Sequence, residues 1–381
     1  MKKTIFILTI LLYFSCKEKK KESLPFSKPL KNETITDAKG FTIEKTNNGV
    51  IIIKILSPWP GAETAFTYAL VPKEKVAFIT LNKDEYDAII TVPVERLIAT
   101  STTHIPTLEA LGVANKLVGF PNTDYISSKY TRKRIDNGLV QELGTNEAIN
   151  TEIALSLAPG LVIGFGVNNQ NKSYNSLKRS NIPVVYSGAW TEETPLGRAE
   201  WIKFFAPFFK QEKKADSIFK VIKNDYNNSK LLAIKATTKP TILSGALYKD
   251  IWYMAGGKSW MAKFFADAKT NYLWKDDTAT GSLSLSIESV LNKGIHADFW
   301  LNPSSHTSYN NLIAANDHYK KFDAYKNKKI FSYANTTGAT GGLLFYELGP
   351  NRPDLILKDF IHIFHPELLP SYSPFFFKPL K

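Results

Sequence analysis

The sequence predicts two Rossmann-like α/β lobes joined by one long rigid backbone helix, with a small β-rich extension in front. Three observations carry this reading. Strand–loop–helix alternation begins near Arg96 and restarts after Lys239-Pro240, which is the texture of a layered α/β fold. Between the two runs, residues 195–236 are helical by pattern and nearly free of interior Gly or Pro. Finally, the halves echo each other. Thr151-Glu152-Ile153-Ala154-Leu155 leads through Pro159-Gly160 into Leu161-Val162-Ile163, and Ser286-Ile287-Glu288-Ser289-Val290-Leu291 leads through Gly294 into Asp298-Phe299-Trp300-Leu301.

The chain opens with a targeting segment, residues 1–15. Lys2 and Lys3 precede an apolar run that ends at Cys16, the only cysteine, and Lys17 to Lys21 is strongly polar. The run has signal-peptide length and is too short for a bilayer core, which takes about 20 apolar residues. The pattern resembles a bacterial lipoprotein signal, with Cys16 as the lipidated first residue of the mature chain and Tyr13 and Phe14 bulky where small residues are commoner. An ordinary cleaved secretion signal is the plainer alternative. Both place the mature chain outside the cytoplasm, and the first anchors it to a membrane. With no second cysteine, a disulfide framework is impossible.

Composition supports packed cores: 44% of residues are hydrophobic and 13% aromatic, so the chain is not of the disordered class. The formal charge of +13 favours anionic ligands, anionic lipid or a partner surface. No compact Arg-rich stripe and an exported chain argue against nucleic acid as a partner.

Residues 16–40 read as a tether, rich in Lys, Glu, Ser and Pro. The extension spans 41–92, where Asn47-Asn48-Gly49 turns a hairpin between Phe41–Glu44 and Val50–Leu56 and Thr64–Val71 continues as a strand. The first lobe covers 93–194. It takes strands at Leu97–Thr100, Lys116–Phe120, Leu161–Phe165 and Pro183–Tyr186, and helices at Ile105–Leu111, Ile149–Leu157 and Tyr174–Ser180. The helical linker is 195–236. Trp201, Phe204, Phe205 and Phe208 recur there at helical spacing, a core stripe. Glu212 to Lys235 would form the backbone helix, about 36 Å long at 1.5 Å per residue. The second lobe covers 237–381, with strands at Thr241–Ser244, Asp298–Leu301 and Lys329–Ser332 and a closing helix at Pro353–Phe364.

Motifs in this frame resemble a known family. Arg96-Leu97-Ile98-Ala99-Thr100-Ser101-Thr102-Thr103-His104-Ile105-Pro106-Thr107-Leu108-Glu109-Ala110-Leu111-Gly112 is similar to the first strand–helix unit of ABC-transporter substrate-binding proteins for iron–siderophore, haem and vitamin B12. Ala158-Pro159-Gly160-Leu161-Val162-Ile163, Met254-Ala255-Gly256-Gly257-Lys258-Ser259 and Ser286-Ile287-Glu288-Ser289-Val290-Leu291 match the same family in order and spacing. The tail from Arg352-Pro353-Asp354 to His365-Pro366 resembles the Bacteroidetes-type branch. The resemblance covers about residues 93–370. It implies a monomer that captures a metal chelate or cobalamin between the lobes and delivers it to ABC permease subunits, the backbone helix limiting hinge motion. It also implies one docking glutamate per lobe, which the motifs put at Glu109 and Glu288. The competing explanation for both is a helix-start carboxylate favoured by the macrodipole.

In facing α/β lobes, ligands sit beyond the carboxyl ends of strands. That rule selects loops around Thr102–Pro106, Pro121–Tyr125, Gly164–Val167 and Ser187–Trp190 in the first lobe. In the second it selects Ala246–Trp252, Asn302–His306 and Asn335–Gly342. These segments nominate Tyr125, Phe165, Trp190, Tyr248, Trp252 and Tyr253 as aromatic walls for a flat chelate or tetrapyrrole. Each aromatic has core as its alternative, and Trp190 and Trp252 are the stronger of the set. Arg352 is the charged candidate, able to pair an anionic ligand oxygen bidentately or, instead, Asp354 or Glu347. The Gly-rich 335–342 run lacks the Gly-Lys-Ser/Thr ending of a phosphate loop. Histidines are scattered without metal-ligand spacing, so no metal or cofactor is assigned; His104 is the single histidine that could take part. There is no Gly-x-Ser-x-Gly elbow or His-Glu-x-x-His, so the chain reads as a binding protein and not an enzyme. Two other readings stay open: a surface-exposed haem- or cobalamin-binding lipoprotein acting with an outer-membrane receptor, and a secreted hydrolase.

Overall fold

The computed structural model describes residues 29–32, 34–168 and 170–381. The targeting segment and Cys16 lie outside them. No described helix is long and apolar enough to cross a membrane.

Five parallel strands build the first lobe. In space they run Val184–Tyr186, Leu161–Gly164, Leu97–Ala99, Leu117–Phe120, Gln141–Glu142. By chain order this is 5-4-1-2-3, the doubly wound arrangement, whose switch point falls between Leu97–Ala99 and Leu161–Gly164. The inner strands are apolar on both faces, and Leu97, Ile98, Ala99, Leu161, Val162 and Ile163 are fully buried, as a sheet covered by helices on both sides requires.

The second lobe orders its strands Asn271–Tyr272, Thr241–Ser244, Phe299–Leu301, Ile330–Ser332 and Lys378–Pro379, all parallel except the last. Its switch point lies between Thr241–Ser244 and Phe299–Leu301. A three-stranded antiparallel meander, Ala246–Tyr248, Ile251–Ala255 and Ser282–Leu285, leaves that point directly.

The linker is not one helix. Pro195–Glu200, Ile202–Phe205 and a 3₁₀ turn at Ala206–Phe209 precede the backbone helix, Glu212–Ala233. Pro207 inside the aromatic run has no N–H to give a continuous helix. The backbone helix has 22 residues, about 33 Å. Its buried positions, Ala215, Phe219, Ile222, Tyr226, Ser229 and Ala233, alternate steps of four and three, one stripe along one face. Ala215, Phe219 and Ile222 belong to the core of the first lobe, and Tyr226 and Ala233 to that of the second. One continuous helix is thus packed into both lobes.

The N-terminal extension departs from expectation. Pro29–Asn32, Phe41–Thr46, Ile51–Ile55, Phe66–Pro72 and Ala88–Val92 form a five-stranded sheet. Part of the segment expected to be a tether is therefore structured. The amides of Thr36, Asp37 and Ala38 donate to the buried carboxylate of Glu200. One face of the sheet, with Phe41, Ile43, Ile53, Ile55, Tyr68 and Leu70, merges with the first lobe's core around Trp201, Phe204 and Phe208. The extension is part of the first lobe, not an appendage to it.

Candidate functional site

At the first lobe's switch point a cavity of ≈ 270 Å³ opens, lined mainly by apolar side chains. Each wall comes from a strand's carboxyl end. Ser101, Thr103 and His104 follow Leu97–Ala99, Phe165 and Val167 follow Leu161–Gly164, and Ser187 and Trp190 follow Val184–Tyr186. Arg198, from the first linker helix, and Pro350, from the second lobe, complete it. The cavity therefore lies where lobe, linker and opposite lobe meet.

Its electrostatics are simple. Arg198 is the only cation of the lining. Its Nη2 donates to the Trp190 carbonyl at 2.7 Å and its Nε to the Glu192 carbonyl at 3.0 Å, while the guanidinium lies 4.1 Å from the ring centre of Trp260 in the second lobe. Burial pulls its pKa down to about 10, against the opposing pull of Glu192, so it remains charged at neutral pH. His104 is buried beside Phe205, with its Nδ1 unpartnered, and desolvation lowers its pKa to about 3. It stands as a neutral imidazole in the wall. Among the described residues no cluster of three or more His, Cys, Asp or Glu could hold a metal ion. The cavity offers apolar walls, hydroxyls and one cation, the equipment for a ligand with a broad apolar face and an anionic edge.

Of the residues nominated from sequence, Phe165, Trp190 and His104 converge here, and Trp190 is 38% exposed. Trp252 does not. It is fully buried, stacked 5.5 Å from Trp300, and its Nε1 donates to the Ser244 carbonyl at 2.9 Å, while Trp300 Nε1 donates to Gly245 at 2.7 Å. These two indoles fill the second lobe's own switch point. Strand alternation explains the error: Trp252 and Tyr253 are consecutive in Ile251–Ala255, so their side chains face opposite ways. Tyr253, outward, approaches Tyr248 across the hairpin, ring centres 6.5 Å apart, and both are exposed on the meander. Neither lines the cavity. Arg352 takes the first of its alternative partners. It forms a bidentate pair with buried Asp354, at 2.9 and 2.7 Å, and borders a different cavity beside the backbone helix.

Tyr125 is exposed and stands at a seam where the lobes already touch. A Cβ on Gly342 would strike the Tyr125 carbonyl, so only glycine permits this approach. Beside it Glu347, of the second lobe, accepts from the amides of Ser127 at 2.5 Å and Ser128 at 2.9 Å in the first. Asn351 adds contacts to Thr107 at 2.6 Å and the Thr103 carbonyl at 2.9 Å. Desolvation, with Glu109 nearby, raises the Glu347 pKa to about 7 despite the two amides. No local pattern marks Glu347, because its partners lie some 220 positions away in the chain. Arg198, by contrast, could have been found as the arginine just inside the Thr194-Pro195 helix start.

Glu109 accepts from the hydroxyls of Ser128 and of Thr131, the latter at 2.6 Å, which engages its carboxylate within the first lobe. Glu288 is exposed at the start of Ile287–Gly294, whose cap is Ser286. Its pKa is held below the usual carboxylate range by its own backbone N–H and the Ser286 hydroxyl. The internal echo pairs that helix with Thr151–Ser156, capped by Asn150 and carrying exposed Glu152 at the same second position. Each helix leads into the strand beside its lobe's switch point.

Fold and cavity together define a two-lobed solute-binding protein. A profile of the periplasmic binding protein family matches residues 97–337, and the chain belongs to that family. An uncharacterized lipoprotein of Methanocaldococcus jannaschii is 25% identical over 300 residues, covering 76% of this chain and 69% of its own length. The vitamin B12-binding protein of Vibrio parahaemolyticus is 24% identical over 204 residues, covering 53% and 68%. Among solved structures, a periplasmic heme-binding protein from Pseudomonas aeruginosa matches with TM-score 0.57 and 15% identity over 76% of this chain and 98% of that one. A possible iron-binding periplasmic protein from Staphylococcus epidermidis matches with TM-score 0.56 and 20% identity, covering 72% and 99%.

Proposed function

We propose that the protein is the extracytoplasmic ligand-capture component of an ABC importer, binding a metal chelate of the iron–siderophore, haem or cobalamin kind and delivering it to the permease. The observation that carries this is the cavity at the first lobe's switch point, where Phe165 and Trp190 stand with Arg198 and the opposite lobe contributes Pro350. Aromatic faces suit the flat body of such a chelate, and the guanidinium suits an anionic edge. Membership of the periplasmic binding protein family, and relatives and neighbours described as binding B12, heme or iron, support it. Anchoring through Cys16 completes the reading, supported by the signal pattern and by lipoprotein relatives. The chain acts as a binding protein without catalysis, and as a monomer.

Docking on the permease we assign to one exposed carboxylate per lobe. In the second lobe this is Glu288. In the first, Glu152 is the free counterpart, while Glu109 would have to release Ser128 and Thr131 to serve. Carboxylates of this sort pair with arginine sockets and fix orientation more than they add affinity.

Titrating the purified protein with haemin, cyanocobalamin and a ferric trihydroxamate, while following visible absorption and tryptophan fluorescence, tests the capture role. One of the three should quench Trp190, and Trp190→Ala should weaken that ligand by about tenfold or more, as a central aromatic contact does. No binding by any of them would overturn the ligand class. Reversing Glu152 and Glu288 together to Lys should abolish uptake in cells and leave binding intact. Undiminished uptake would instead favour a surface lipoprotein handing its ligand to an outer-membrane receptor.

A further inference from the structure

The five-stranded N-terminal sheet lies outside the matched family segment, yet it touches the cavity's rim wherever that rim passes it. Ser57–Ala62, the connection between its third and fourth strands, is pressed against two first-lobe loops. A Cβ on Gly188 would collide with the Ser57 carbonyl, so at this position glycine admits close backbone approach. Thr191 Oγ1 donates to that same carbonyl at 3.0 Å. Trp59 packs edge-on against Tyr186 at 5.4 Å, and a Cβ on Gly166 would sit 3.2 Å from its ring. Tyr68 OH accepts from the Tyr186 amide at 3.1 Å.

The far end of the rim is held as well. Glu192, buried, accepts from the amides of Lys39 at 2.9 Å and Gly40 at 2.8 Å and from Trp201 Nε1 at 3.0 Å. The rim segment Ser187–Glu192, which carries Trp190, is thus clamped by the extension at both ends. On its outer side Pro60 and Gly61 share a cavity with Thr280 of the second lobe, so the turn also stands at the edge where the two lobes face each other.

We propose that the N-terminal sheet is a specificity element of the ligand cleft, with Trp59 as a positioning residue that sets where Trp190 stands. This rests on the cleft reading above. A chain lacking the sheet would leave Gly166 and Gly188 bare and the 187–192 rim without either anchor. Rigid placement of an aromatic wall lowers the ordering cost of binding and discriminates between ligand outlines.

The test uses Trp59→Ala, Trp59→Phe and, as a control for stability alone, Ile52→Ala, on the opposite face of the same sheet. The affinity arm follows haemin, cyanocobalamin and a ferric trihydroxamate by fluorescence, and the second arm follows amide hydrogen exchange over 187–192 without ligand. Trp59→Ala should weaken the bound probe by about tenfold and speed exchange at Thr191 and Glu192, Trp59→Phe should restore most of both, and Ile52→Ala should change neither while lowering Tm. Equal effects of Trp59→Ala and Ile52→Ala, or unchanged exchange in Trp59→Ala, would overturn the proposal. If the wild-type protein binds no probe, the ligand class falls, and exchange alone still decides whether the sheet holds the rim. Should Trp59→Ala fail to fold, Gly188→Ala displaces the neighbouring Ser57 carbonyl of the same connection from the rim, with the same outcomes required.

Discussion

Two tryptophans show how differently one residue type can act in this chain. Trp190 is partly exposed in the cavity wall and Trp252 is sealed beneath the meander against Trp300. Trp252→Ala should cost about 3–5 kcal/mol of stability, the usual toll for emptying a large aromatic site, with a clear fall in Tm. Trp190→Ala should leave Tm nearly unchanged and affect ligand affinity. A reversal of the two patterns in paired thermal and binding measurements would refute the assignment. His104 belongs to this scale too. A folded pKa of about 3, below the unfolded value of about 6.5, means that protonation opposes folding. Its contribution is present above pH 6.5 and is lost as pH falls toward 3. Its imidazole resonance should therefore not titrate between pH 5 and 8 in an NMR series.

Among the elements, the backbone helix carries the strongest expectation. Its single buried stripe passes from one lobe's core into the other's, so bending it separates two packed bodies. Asn224 is exposed in mid-helix. Asn224→Pro removes one main-chain hydrogen bond and sets the ring against the preceding turn, about 3 kcal/mol or more. Small-angle scattering should show a broader spread of lobe separations for Asn224→Pro, with Asn224→Ala indistinguishable from wild type. The capping residues act on a smaller scale. Ser286 accepts from the Ser289 amide, and Ser286→Ala should cost about 1 kcal/mol without altering ligand affinity.

For the whole molecule the interlobe seam matters most. Glu347 is the point where a titratable group meets the closed arrangement. Its pKa is raised to about 7 by burial, so the native state holds a proton that an open or unfolded chain has released by about pH 5. Stability from this group is fully present below the unfolded pKa near 4.5 and is lost as pH rises through 7. The wild-type stability should fall between pH 5 and pH 8 by an amount on the order of 2 kcal/mol, read as a lower Tm. Glu347→Gln keeps one acceptor for the Ser127 and Ser128 amides and should flatten that slope. An unchanged slope in the variant would place the pH dependence elsewhere.

How much of this was legible beforehand varies with the range of the interaction. The alternation after Arg96 and Pro240, the Gly112 and Ser286 helix ends and the apolar stripe of the backbone helix are local periodicities, and they appear as anticipated. The break at Pro207 was equally local and was passed over because the aromatic stripe looked continuous. Phe165 and Trp190 could be placed because loops at carboxyl strand ends follow from topology. Trp252 was misplaced because a short strand between turns does not announce which of its faces the core takes.

What the sequence determined by itself is the set of elements and the order in which they meet, since propensity, capping and hydrophobic period act within a few residues. The tertiary structure alone decided which side chains share a place. The pairing of Arg352 with Asp354, the inward hold on Glu109, the seam at Glu347 and the clamp of Ser57 and Gly40 on the 187–192 rim are outcomes of packing. Apart from Arg352 with Asp354, they join atoms between about 20 and 220 positions apart in the chain. Those contacts depend on excluded volume and on satisfying buried polar groups across separate elements, conditions that no local pattern of residues encodes.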